Sequence, residues 1–187
     1  ALVPCMFSAF IGERISIFMG VRTLTAPYPV EEVPDFYGIA WGKAILLAIC
    51  FAFVGALFCV MLHIFEKQLK KWFQNPYLRV FIGGVTVVLL WKITGTDTYL
   101  GLGGGTIAQS FEEPQKLWVF LLKILFTCIT LCSGFKGGEI VPSLFIGATF
   151  GSALAPIFGL PVDICAACGM VGVFCAVTNS PISSLLI

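Results

Sequence analysis

The sequence predicts an all-α polytopic membrane protein with tilted and broken helices. Three observations point there: composition, apolar runs of spanning length, and glycine and proline breaks inside those runs. Hydrophobic residues make up 58% of the 187 and charged residues only 11%, with a mean hydropathy of +0.99. An ordinary soluble domain is about 25% charged, and a helix needs about 20 apolar residues to cross a hydrocarbon core of about 30 Å. A soluble, core-heavy domain is the alternative, and the length of the runs argues against it. The breaks fall around residues 101–105, 134–142 and 178–181. Irregular backbone at membrane depth must line protein or a watery cavity, because lipid cannot satisfy it. Interrupted helices therefore mark the substrate site of a transporter.

The elements follow in order. Residues 1–21 form a first span interrupted by Glu13 and Arg14, which predicts a bent helix near an interface. A polar loop punctuated by Pro27, Pro29 and Pro34 separates it from a long apolar run, 38–65, with Lys43 near one end and His63 near the other. At 1.5 Å per residue that run exceeds the bilayer core and should tilt. A basic stretch with Lys67, Lys70 and Lys71 precedes the next span, 77–93. Further helices are expected at 117–132, 140–160 and 164–177, with Pro181 restarting a final run. The excess of Lys67, Lys70, Lys71 and Arg79 places that junction on the cytoplasmic side, and the acidic loops on the other. The chain reads as a single transmembrane segment, 1–187, of a larger multi-pass protein of the cell membrane. Residues 1–10 lack the charged start and cleavage site of a signal peptide.

The most informative stretch is Ser133-Gly134-Phe135-Lys136-Gly137-Gly138-Glu139-Ile140-Val141-Pro142. Its glycines allow a sharp turn, and Pro142 suits the first turn of a new helix, where a missing N–H costs nothing. The amides of Gly138, Glu139 and Ile140 then point, unpaired, from a helix N-terminus. Such an end carries partial positive charge and free donors, which suits an anion in a dry place. Glu139 is either a first-turn helix acid without transport duty or a proton-carrying group; intramembrane acids are functional by default. Lys136 is either its counter-charge or an interfacial lysine. Gly103-Gly104-Gly105 reads as a re-entrant turn or a close helix contact, Asp97 as a solvated loop residue, and His63 as interfacial rather than a proton relay. Lys43 and Lys123 are expected to reach for the membrane surface, and Trp41, Trp72, Trp91 and Trp118 to form an interfacial belt.

Other chemistry finds little support. The eight cysteines lie in apolar surroundings, where free cysteine behaves as a small hydrophobe. Cys165-Ala-Ala-Cys168 has redox or metal spacing, but a single pair without histidines does not make a zinc site. No cofactor is expected. There is no nucleophile–histidine–acid set and no phosphate loop in a strand–helix context, so no enzyme is predicted. The net charge of +1 gives no reason to expect nucleic acid.

The stretch 136–142, followed by Gly147, Ala148 and Gly151, resembles the G-G-x-F-x-P…G-A…G filter of the CLC chloride channels and transporters. Gly103-Gly104-Gly105-Thr-Ile is similar to the family's re-entrant S-G-G-G-F/Y segment. Residues 169–182 are similar to its G-M-x-A…A-P-L stretch. The three matches come in order and correspond to the second inverted half of that fold without its last helix. The resemblance implies a homodimer in which each subunit holds its own anion pathway. It implies that Gly137, Gly138, Glu139, Ile140 and Val141 surround the anion, with backbone amides of Glu139 and Ile140 as ligands. Chloride-type members carry apolar residues where Glu139 and Ile140 stand; a glutamate there resembles the fluoride/proton antiporter subgroup. The function implied is anion transport, fluoride/proton antiport with Glu139 coupling the proton. Chloride conduction or chloride/proton exchange, and a non-conducting structural segment, are the alternatives. The family's gating glutamate and inner tyrosine lie outside these residues.

Overall fold

The computed structural model describes residues 39–184, together with helical positions 10–12, 14, 15 and 18. The predicted first span and the loop after it therefore lie mostly outside the described residues. The helices are α1 (Ile39–Trp72), α2 (Pro76–Thr94), α3 (Gly104–Glu112), α4 (Trp118–Ser133), α5 (Ile140–Phe158), α6 (Val162–Thr178) and α7 (Pro181–Ser184), with a 3-10 turn at Asp97–Tyr99. No strand occurs among the described residues.

Local chemistry sets the boundaries. Asn75 caps α2 by accepting a hydrogen bond from the Tyr77 amide at 3.1 Å, and Pro76 takes the first helical position, where its missing donor is harmless. Gly95 closes the same helix, its N–H donating to the Trp91 carbonyl. α1 runs on through the basic stretch to Trp72, so Glu66 and Lys70 meet one turn apart at 2.5 Å on an exposed face. The span and the charged junction are thus one 34-residue helix.

Three helices, α1, α2 and α5, are long and apolar enough to cross a membrane. Their burial differs: 61% of the apolar window of α5 lies inside the bundle, against 33% for α1 and 6% for α2. α5 is therefore the inner helix and α2 an outer one. α5 packs on α6 through Gly147, Gly151 and Gly169, where a Cβ at Gly147 would strike Gly169 and one at Gly151 would strike Cys165. Membrane helices lack a hydrophobic drive to associate, so backbones brought close by small residues supply the packing. Phe51 and Phe58 of α1, Ile124 and Cys128 of α4, Ile146 of α5 and Val173 of α6 form one buried cluster. Tyr99, Ile107, Phe126 and Phe145 anchor a second, beneath the glycine-rich turn. Trp72, Trp91 and Trp118 are exposed and stand at or near helix ends, as an interfacial belt requires; the Trp41 side chain lies outside the described residues.

Candidate anion site at the start of helix α5

α4 stops at Ser133, and Gly134 takes a left-handed conformation with φ of +106°, which a residue with a Cβ rarely adopts. Of the glycines expected to allow a sharp turn, Gly134 makes it, because the chain reverses directly off the α4 terminus. Neither Gly137 nor Gly138 has a left-handed φ. Glu139 is the N-cap of α5, its carbonyl accepting from the Ser143 amide at 3.0 Å. Pro142 sits in the first turn, as predicted. Among the described residues, the amides of Gly138, Glu139, Ile140 and Val141 have no hydrogen-bond acceptor. They form a bare helix N-terminus of the kind that attracts an anion.

Two cavities meet at this turn. One, of about 680 Å³, is lined by Glu66, Lys70, Arg79, Lys136, Gly137 and Glu139. Three cationic side chains face two carboxylates there, and Lys70 is already paired with Glu66. Arg79 and Lys136 make no ion pair among the described residues, and the buried Nε of Arg79 has no partner. The second cavity, of about 600 Å³, is lined by Gly137, Gly138, Ile140 and Val141, with Tyr99 and Lys123 opposite. The five predicted anion-site residues are therefore brought together, divided between a charged mouth and an apolar chamber. Gly137 borders both, and a Cβ there would press on Leu131 at 2.8 Å, whereas one at Gly138 would meet nothing within 4 Å.

Several expectations change. Lys123 does not reach for the membrane surface: its side chain is 2% exposed. Its ammonium donates to the carbonyls of Gly101 at 2.8 Å and Tyr99 at 3.3 Å and lies 4.7 Å from the centre of the Phe145 ring. Lys123, Phe126, Thr127 and Thr130 share one face of α4 and all line the chamber; that periodicity is readable in the sequence, but not the direction in which the face points. Lys43 donates to the Phe158 carbonyl at 2.7 Å, so it caps the C-terminus of α5, where a cation is favoured. Asp97 accepts a hydrogen bond from the Trp91 indole at 2.6 Å and is more than a solvated loop residue. Gly103, at φ +70°, is the N-cap of α3, and a Cβ on it would strike the Phe145 ring; the triple glycine is both turn and close contact. His63 is exposed on α1, away from both cavities. Seven described cysteines are free thiols.

The chain is similar to known proteins in sequence and in fold. Residues 1–187 match the family model described as voltage gated chloride channel. A chloride/fluoride channel protein of Pseudomonas syringae pv. tomato is 34% identical over 192 residues, covering 100% of this chain and 42% of that protein. An Escherichia coli protein described as putative ion-transport protein YfeO is 28% identical over 160 residues, covering 82% of this chain and 37% of its own length. The chain thus spans about two fifths of the length of these relatives. The crystal structure of a CLC-type fluoride/proton antiporter superposes with a TM-score of 0.87 at 33% identity, over 98% of this chain and 46% of that one.

Proposed function

This chain belongs to the voltage-gated chloride channel family, and from that premise we propose that it is the anion-holding part of a fluoride/proton antiporter. The observation that carries the reading is Glu139 at the N-cap of α5. It stands among four unpartnered amides and borders the charged mouth. The free amides and the helix dipole favour a negative ligand. An ionised Glu139 competes with that ligand for the same positive end. Protonation removes the competing charge and turns the carboxyl into an O–H donor, which fluoride, a small and strongly accepting anion, can use. The same carboxyl can thus serve the anion or carry a proton, which is how one residue would link the two movements. Gly138 leaves room beside the amides, and Ile140 and Val141 present an apolar wall that strips water from the ion.

The protein works as a homodimer in the cell membrane, each subunit with its own pathway, by analogy with the family. Chloride transport is the second reading, favoured by a relative described as a channel for both chloride and fluoride. Efflux from liposomes holding the intact protein separates them, read with fluoride and chloride electrodes while pH is followed. Strong preference for fluoride with opposed proton movement supports antiport. The Glu139→Gln protein, which keeps the donors but has no transferable proton, is expected to lose at least tenfold of the proton flux. Unchanged proton coupling in that variant, or equal transport of chloride, overturns the Glu139 reading.

A further inference from the structure

Lys123 lies mid-helix in α4, within an apolar bundle, and 2% of it is exposed. No carboxylate pairs with it among the described residues. A buried charge is costly unless it is paired and hydrogen-bonded. The two carbonyls and the Phe145 ring solvate the ammonium but bring no negative charge. The group opens onto the same chamber as Gly137, Gly138, Ile140 and Val141. The missing partner of the cation and the missing ligand of the bare amides thus face one space.

We infer that Lys123 is a fixed intramembrane cation whose counter-ion is the transported halide, held in the chamber between this ammonium and the start of α5. The inference rests on the anion-transport reading above and adds to it a residue that sets anion affinity. Two physical arguments support it. In a chamber with apolar walls the effective dielectric is low, so one unit charge dominates the field over the partial charges of a helix end. The tether to Tyr99 and Gly101 also fixes the charge in place, so it need not reorganise when an ion arrives.

A purely structural lysine, pinning the 99–101 turn to α4, would give the same contacts, so the test must read charge separately from fit. In the intact protein, fluoride binding is measured by calorimetry, and half-saturation and maximal rate by efflux from liposomes. The Lys123→Met protein is expected to bind fluoride at least tenfold more weakly, with half-saturation raised in step and the maximal rate within a few-fold of the parent. Lys123→Arg, which keeps the charge, is expected to restore affinity. Unchanged affinity in Lys123→Met overturns the inference, as does a loss that arginine fails to rescue. Should Lys123→Met not yield monodisperse protein, Thr127→Asp decides. It sets a carboxylate one turn along the same face, is expected to weaken fluoride binding similarly, and overturns the inference if affinity stays unchanged. A parent that moves chloride instead of fluoride fails the antiport reading alone, and the same variants then test Lys123 with chloride. A parent that binds neither halide overturns both.

Discussion

Gly103, at the N-cap of α3, and Gly138, on the wall of the chamber, carry opposite predictions. Gly103 combines a left-handed φ with contact against the Phe145 ring. A Cβ there costs about 1–2 kcal/mol in backbone energy alone, before the ring is displaced. Gly103→Ala should therefore lower the thermal unfolding midpoint of the detergent-solubilised protein by several degrees. Gly138 has no left-handed φ and nothing within 4 Å of an added Cβ. Gly138→Ala should leave that midpoint within a degree or two, yet raise the fluoride concentration for half-maximal efflux, because the methyl group occupies space beside the free amides. The pair separates two meanings of a glycine: one permits the backbone, the other leaves room for a ligand.

At the scale of elements, the crossing of α5 and α6 is the most exacting contact, because Gly151 faces the Cys165 backbone directly. Carbonyl groups of a helix cannot move aside as a side chain can. Gly151→Val should force the helices apart and cost several kcal/mol, as overpacked cores do. Size-exclusion profiles and thermal melts of the purified protein would report this as loss of the folded species. The same elements show what was legible beforehand. Apolar run length, with Pro142 in the first turn of α5, places α2, α4, α5 and α6 within a few residues of where they stand. The five residues predicted to surround the anion gather at one turn because they are contiguous. The depth of Lys123 is not, because it depends on which face of α4 meets the 99–101 turn, a contact spanning more than 20 residues of chain. The extension of α1 through its basic end escapes a reading by hydropathy alone, since hydropathy measures burial in lipid and not helix propensity. The α4–α5 turn was located correctly, without deciding which glycine makes it. Any of Gly134, Gly137 and Gly138 could supply it, and only the end of α4 decides which.

Across the whole molecule, the bundle is graded from the enclosed α5 to the outer α2, and one cluster of charges gathers at the start of α5. Lys70, Arg79 and Lys136 share the mouth with Glu66 and Glu139, while the chamber beyond holds Lys123 as its charged side chain. A cationic excess at an entrance raises the local concentration of an anion, and salt screens the effect over about 10 Å at 0.1 M. Arg79→Gln should slow initial fluoride efflux a few-fold at low ionic strength, with the deficit shrinking as an inert salt is added. A deficit independent of salt would assign Arg79 to packing instead.

Gly137 borders both cavities, as does Leu131 packed beside it, so a thin ribbon of backbone and one leucine separate the two spaces there. If both spaces admit water, they extend the conducting solution inward from either side, and the insulating layer shrinks from the width of a bilayer to the breadth of that ribbon. Membrane voltage would then fall almost wholly across the Gly137–Glu139 segment. A charge crossing it would work against about 2.3 kcal/mol per 100 mV within a few ångströms. The rate-limiting step of such a protein would be set by the electric field at one peptide turn, and its net charge per cycle by what that turn lets through.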